Sequence, residues 1–340
     1  MKKAVSIILL FSLFLLIFSC GEETDNGEAY SIAVFVPGVV AGSPIYEMLV
    51  TGVEAAVEEA ENAEVTVVEG GFNQAEWPGG VTALAATEEY DLIVTSNPAM
   101  PEICAGVAED FPEQRFLCLD GYLESNPAIH TVLFNQREQA FIIGYLGGLV
   151  TSSQMEFANE DLKVGLIAGA EYPTMNEIIR PSFELGLRTV DPEIELDFRV
   201  VGNWYDASRA GELARSMFDT GIDVILPISG GANQGVLSAA EDIGAYVLWF
   251  DSEGYNEAPG IVVGSSVLNM DKAAYERTLS AINGELHFGQ AEIVDMEGGY
   301  VDFIEDNALY RRYVPEDIRE QVNTMLERLR SGELQLNVVM

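Results

Sequence analysis

Hydrophobic and polar positions alternate between two regimes along this chain. Short β-branched apolar runs are followed by longer stretches with helical spacing, a pattern of repeated βα units that predicts α/β architecture with doubly wound parallel sheets. In a first series, strands are predicted at 31–36, 65–69, 91–95, 115–119 and 131–134, with helices at 44–60, 80–89 and 101–110. Ser43 stands as N-cap of the first helix and Pro44 at its first helical position. A helix at 138–152 opens a second series, with strands at 162–168, 196–201, 223–228 and 246–250 and helices at 175–189, 208–220 and 234–242. A further strand at 260–265, a helix at 271–283 and a charged helix near 315–331 complete the chain. A core of this length splits naturally into two lobes, at roughly 100–200 residues per domain.

In open α/β sheets, ligands settle beyond the carboxyl ends of the strands. The loops at those ends are 37–43, 70–77, 96–98 and 120–122 in the first series, and 169–172, 202–206, 229–234 and 251–255 in the second. Aromatic and neutral polar residues prevail there, with two aspartates, a set suited to a flat, uncharged, hydroxyl-bearing ligand.

The N-terminus changes the picture. Lys2 and Lys3 precede a nearly unbroken apolar run at 4–18, and Ser19-Cys20-Gly21 leads into the polar residues Glu22, Glu23 and Asp25. The run is short for a membrane span, which takes roughly 20 residues, and fits a signal-peptide core. A cysteine directly after that core resembles a bacterial lipobox, which makes residues 1–19 a lipoprotein signal peptide, Cys20 the lipidated residue and 20–30 a polar tether. The expected location is the outer side of the cytoplasmic membrane, held by the lipid.

Composition adds mainly exclusions. The chain has 17 basic and 55 acidic residues, a net charge of −38. Such a surface repels nucleic acid and anionic lipid. The acids are scattered and not clustered at ligand spacing, which reads as a solvated surface, so no metal or cofactor is expected. Cys104 and Cys118 read as buried free thiols, although an exported protein permits a bridge between them. HExxH, Walker, GxSxG and CxxC motifs are missing, and neither His130 nor His287 has a catalytic partner in its local sequence, so the chain is not expected to be an enzyme. Gly230-Gly231-Ala232-Asn233-Gln234-Gly235 follows a strand and opens a helix without the GxGxxG order, and reads as a backbone cradle for a neutral ligand.

Several segments carry a family resemblance. They are Tyr90-Asp91-Leu92-Ile93-Val94, Phe116-Leu117-Cys118-Leu119-Asp120-Gly121, Glu138 with Gly144-Tyr145-Leu146, Val164-Gly165-Leu166-Ile167-Ala168-Gly169, and Gly202-Asn203-Trp204-Tyr205-Asp206. The Gly230-Gly231 turn, Phe250-Asp251-Ser252 and Ala258-Pro259-Gly260 complete the set. With them the chain resembles the basic membrane protein (PnrA-like) family of ABC-transporter substrate-binding lipoproteins. The resemblance implies a type I periplasmic-binding-protein fold, two lobes joined by three crossovers, a small-molecule ligand between them and an ABC permease as partner. We place the crossovers near Asn135, Asp251 and Gly289, so that 31–134 and 252–288 form the first lobe and 135–251 and 289–340 the second.

The departures from the family bear on the ligand. Nucleoside-binding members carry Asp-Lys-Ser-Phe-Asn where this chain has Gly42-Ser43-Pro44-Ile45-Tyr46, and a lysine expected before the helix at Asp271 is replaced by Leu268. The stretch from Pro37 to Met48 is similar to the riboflavin-binding lipoproteins of the family, the RfuA type. The resemblance thus implies riboflavin ahead of a purine nucleoside, with a secreted enzyme on an α/β scaffold as a third reading. Trp204 and Tyr46 are expected on the two faces of the ring, and Asp251 is expected to accept hydroxyls of the polyol. Asn97, Asn135, Gln136, Asn233 and Gln234 are candidates for its polar edge, with Gly230 and Gly231 as backbone cradle. Trp77 and Tyr122 lie in rim loops and are expected to pack in the core.

Overall fold

The computed structural model describes residues 29–336. The readings placed on residues 1–28, the signal peptide and Cys20 among them, lie outside the described residues. Five parallel strands form most of the first sheet: β1 (Tyr30–Val36), β2 (Ala63–Glu69), β3 (Leu92–Ser96), β4 (Arg115–Leu119) and β5 (Ile129–Phe134). The second sheet uses β6 (Lys163–Ala168), β7 (Glu195–Val200), β8 (Val224–Ile228), β9 (Tyr246–Asp251) and β10 (Val262–Leu268) in the same order of pairing. Each sheet gains a late edge strand, β11 (Ala291–Val294) beside β5 and β12 (Val301–Phe303) antiparallel to β10. The resulting orders are β11-β5-β4-β3-β1-β2 and β12-β10-β9-β8-β6-β7. Both reverse direction after their first strand, and the crevice at that switch point is where such sheets hold ligands.

The central strands β3, β5 and β8 are buried throughout, as parallel strands covered on both faces must be, whereas edge strand β2 alternates with partly exposed positions. Helix α1 (Pro44–Ala60) buries Leu49, Gly52, Val53 and Ala56 along one stripe. Ser43 occupies its N-cap position without a side-chain capping bond; the Glu47 carboxylate instead accepts from the Gly42 N–H at 2.9 Å. Cys104 and Cys118 are both buried and unbridged. No helix among the described residues is long and apolar enough to cross a membrane.

Two of the expected lobe boundaries move. The chain passes from β5 through Asn135 into α4 (Gln136–Thr151), which packs on the second sheet. It does not return at Asp251. The segment after β9 makes an excursion and comes back as β10, bonded in parallel to β9, so 252–268 belong to the second lobe. Tyr255 staples this excursion: its hydroxyl donates to the Ile304 carbonyl at 2.7 Å and accepts from the Ser265 N–H at 3.2 Å. The second crossover therefore lies at Asn269, ahead of α8 (Met270–Ile282), which packs on α1 so closely that a Cβ at Gly52 would fall 2.3 Å from the Asp271 carbonyl oxygen. Strand β11 then pairs with β5, which moves the third crossover from Gly289 to the stretch between Val294 and Val301.

A buried-edge ion network fastens that late strand. Glu292 on β11 accepts from His130 Nε2 on β5 at 2.9 Å and from Arg277 Nε on α8 at 2.6 Å. Burial works to raise this carboxyl, but the bonds from His130 and Arg277 outweigh it and bring it down to about 2. A carboxyl depressed in the folded state stabilises fully above its unfolded value near 4.5 and loses that contribution as pH falls towards 2. Glu292→Gln should therefore cost roughly 1–3 kcal/mol at neutral pH. Its urea midpoint should then approach the wild-type value on acidification below about pH 4; equal midpoints at neutral pH would remove the network from the account.

Candidate functional site

The cleft is assembled from the carboxyl ends of both sheets. On the first lobe, Tyr46 sits in the first turn of α1 with its ring laid on Gly38, where a Cβ would come within 2.7 Å of the ring. Its hydroxyl donates to the Pro37 carbonyl at 3.1 Å. Burial first, moderated by the side chain of Asn97 and helped by the charge of Asp120, pushes the phenol up to about 12. Asn97 follows β3 at a φ of 145° and accepts from the Ala99 N–H at 3.0 Å. Asp120 follows β4 at a φ of 53°, with a buried Oδ1 that has no protein partner.

On the second lobe, Trp204 lies in the loop after β7. A Cβ at Gly169 would fall 2.5 Å from the indole, so one face of the ring is seated on the backbone at the end of β6. Tyr172 packs beside it at 6.0 Å between centroids, tilted by 50°. The indole is nonetheless 39% exposed, which leaves it accessible at a cleft rim. Asn203 builds the turn by accepting from the Tyr205 and Asp206 N–H groups, and Asp206 caps α6 (Ala207–Phe218) through the Arg209 N–H. Gly230, at a φ of 60°, runs under this loop, where a Cβ would meet the Trp204 carbonyl oxygen at 3.0 Å. Gly230 thus supports Trp204, and a Cβ at Gly231 would lie 3.6 Å from the same carbonyl oxygen.

Asp251 ends β9 at a φ of 70° and accepts from Gln139 Nε2 of α4 at 3.1 Å. Burial pushes its carboxyl up to about 6 in spite of that bond. Burial, and then the Asp251 charge, pushes Asp120 up to about 8. Burial comes first for Tyr172 too, and both carboxyls then add to the upward shift of its phenol. Asp120 from one lobe and Asp251 from the other are thus within electrostatic reach of each other and of Tyr172, and Asp120 also of Tyr46.

The amide candidates separate into two groups. Asn97 joins the cluster at Tyr46. Asn233 does not present its oxygen, because Oδ1 accepts from both the N–H and hydroxyl of Ser229, at 2.9 and 2.8 Å. Gln234 is exposed and donates to Glu257 at 3.1 Å. Asn135 and Gln136 are buried at the first crossover, and Asn135 Nδ2 donates to the Leu336 carbonyl at 3.1 Å. Trp77 is core, its indole N–H donating to Gly71 at 2.9 Å, and Tyr122 is half-buried and hydrogen-bonded to Glu124. Three residues the sequence did not single out join the site. Asp120 reads locally as an Asp-Gly turn, Tyr172 as one aromatic in a loop, and Gln139 as one more position on a helix. Among the described residues, no group of three or more His, Cys, Asp or Glu could hold a metal ion.

Comparison with known proteins agrees with this architecture. The chain is 22% identical over 97% of its length to the transcriptional activator protein med of Bacillus subtilis (strain 168), covering 98% of that protein. It is also 22% identical to the ABC transporter nucleoside-binding protein BmpA of Lactococcus lactis, over 46% of this chain and 42% of that one. An ABC transporter system solute-binding protein from Aeropyrum pernix K1 superposes with a TM-score of 0.78 at 19% identity, over 90% of this chain and 93% of that one. The fold is that of type I periplasmic binding proteins. The family model for PnrA-like ABC transporter substrate-binding proteins matches residues 29–335, and the chain belongs to this family, Bmp.

Proposed function

We propose that this substrate-binding protein captures riboflavin in the interlobe cleft, delivers it to an ABC permease, and is held at the membrane by lipid on Cys20. The observation that carries the ligand reading is the indole of Trp204, one face seated on Gly169 and the ring still exposed beside Tyr172. A wide isoalloxazine engages such a platform over more of its area than a purine does, and a stacked aromatic pair contributes about 0.5–1.5 kcal/mol beyond burial. Tyr46, in the Pro37–Met48 stretch similar to riboflavin-binding members, supplies an aromatic on the opposite lobe. Asp251 and Asp120 offer carboxyl oxygens to the ribityl hydroxyls.

Closure follows from this division of labour. A ligand touching both lobes gains its full set of contacts only when they meet, so it shifts the population towards the closed form. A purine nucleoside is the second reading, favoured by the similarity to the nucleoside-binding protein of Lactococcus lactis.

Titration of the detergent-solubilised full chain with riboflavin tests the first reading. Saturable quenching of flavin emission at submicromolar ligand is expected, and Asp251→Asn should weaken it by about tenfold or more through loss of a charge-assisted contact. A protein that ignores riboflavin and binds guanosine or inosine in calorimetry would transfer the assignment to nucleosides.

A further inference from the structure

Helix α4 begins at the first crossover, and its opening turn reaches towards the other two segments that join the lobes. The Asn135 N–H donates to the Val294 carbonyl at 2.8 Å, where the third crossover starts. Glu138 accepts from the Met296 N–H in that same crossover, also at 2.8 Å. Gln139 follows. Its Nε2 donates to Asp251 Oδ1 at 3.1 Å and to the Ser266 carbonyl at 3.4 Å, on the strand that leads into the second crossover at Asn269. Chain at a hinge moves least when two lobes close, so a side chain fixed there is a stationary reference for the cleft.

Gln139 is 0% exposed, and the positions after it, Ala140, Phe141, Ile142 and Ile143, are apolar core. Burying an amide in such surroundings is unfavourable unless it is hydrogen-bonded. The bonds Gln139 makes are all on its donor side. Both neighbours of Nε2 are acceptors, which fixes which way round the amide lies, and Oε1 is buried with no partner among the described residues. An apolar side chain of equal length would fill the same space without that cost. What the amide adds is a fixed donor for one oxygen of Asp251. Asp251 ends β9 at a φ of 70°, a backbone region that residues other than glycine rarely hold, and among the described residues no other group donates to its carboxylate.

We propose that Gln139 is a positioning residue for ligand capture: its amide pins Oδ1 of Asp251 to the hinge end of α4 and leaves Oδ2 to accept a ligand hydroxyl. The proposal rests on the reading above in which Asp251 contacts the ligand. Gln139 itself is fully buried and touches no ligand. A carboxylate with one oxygen already held has given up its rotamer freedom before the ligand arrives, so less of the binding free energy goes into ordering it. The same bond favours the ionised carboxylate, which is the stronger acceptor. Burial pushes the Asp251 carboxyl up to about 6, and the Gln139 bond acts against that rise.

A double-mutant cycle separates positioning from plain packing. Affinity of the detergent-solubilised full chain for riboflavin is read by flavin quenching in wild type, Gln139→Met, Asp251→Asn and the double variant. Gln139→Met keeps the side-chain length and removes the donor, and should weaken binding by about five- to tenfold. On the Asp251→Asn background the same change should cost less than about twofold, because the carboxylate it holds is gone. Equal losses on both backgrounds, or no loss on either, overturn the proposal. Gln139→Glu, which turns an acceptor towards Asp251, takes its place in the cycle should Gln139→Met not fold. A wild type that binds while Asp251→Asn is unimpaired removes Asp251 from the ligand contacts, and the proposal with it. Guanosine replaces riboflavin in the cycle if riboflavin does not bind. If neither binds, the ligand reading falls while the positioning is judged on the free protein. There the carboxyl carbon resonance of Asp251, identified by its disappearance in Asp251→Asn, should titrate at higher pH in Gln139→Met than in wild type, since the lost bond favoured the ionised form. Asp120 and Tyr172, the titratable groups that feel the Asp251 charge, are the same in both proteins. A midpoint that does not move overturns the proposal.

Discussion

Replacing Trp204 with alanine is expected to weaken ligand binding by at least about tenfold, or about 1.4 kcal/mol, while leaving the fold intact. The two halves of that expectation have separate causes. The indole gives up a stacking partner and the apolar area that a bound ring would cover, and together these exceed the stacking contribution of about 0.5–1.5 kcal/mol alone. The fold is spared because the side chain is 39% exposed and its inner face rests on glycine backbone at Gly169, not in the core. The turn that carries it is held independently, by Asn203 and by the Ala232 N–H that donates to the Trp204 carbonyl at 3.3 Å. Affinity is read by flavin quenching, and integrity by circular dichroism melting. Unchanged affinity removes the stacking assignment; a melting temperature that collapses with the affinity makes the residue structural.

The largest expected loss of stability lies where α4 crosses α5 (Arg180–Val190). Gly144 and Gly186 meet there with the two backbones nearly touching. A Cβ on Gly186 would fall 2.2 Å from the Phe141 carbonyl oxygen and 2.6 Å from the Tyr145 nitrogen. Backbone atoms cannot rotate aside as a side chain can, so the helices must separate and open the apolar contacts around Phe183 and Leu187. Gly186→Ala should cost about 3 kcal/mol, against the ordinary gain of about 1 kcal/mol from alanine in a helix. Gly79 in α2 (Trp77–Ala85) is the control, because nothing lies within 4 Å of a Cβ there. Urea midpoints of the two variants should move in opposite directions, and a Gly186→Ala midpoint at or above wild type would contradict the packing argument.

Much of the fold is legible from local pattern, because a buried parallel strand and an amphipathic helix each write their period into neighbouring residues. The strands at the heart of both sheets read this way, and so do the strand-end loops that carry Trp204 and Asp251. The late edge strands β11 and β12 do not. β11 is the short run Ala291-Glu292-Ile293-Val294, four residues with a charge among them, and it is held by the partners of Glu292, one 162 positions away. The strand expected at 260–265 is found as β10, but its sheet is not legible: the crossover expected near Asp251 would place it in the first lobe, whereas Tyr255 binds the excursion before it back onto the second sheet.

The site divides along the same line. Residue type and loop position identify aromatic and acidic candidates, since ligand loops of this architecture lie at strand carboxyl ends. They do not say which amide is already occupied. Asn233 and Asn97 look alike in sequence, but one is consumed by Ser229 and the other stands beside Tyr46.

The sequence by itself determined that the chain alternates βα units in two series, and where the loops that could hold a ligand fall. Those properties depend on spacing over a few residues. Only the tertiary structure decided which sheet receives β10 and β11, and that Asp120 and Asp251, on different lobes, come within electrostatic reach of each other. The pairing of β11 with β5 and the mutual electrostatics of the two carboxyls join residues more than a hundred positions apart, and even the pairing of β10 with β9 depends on the excursion between them, so no local period records them.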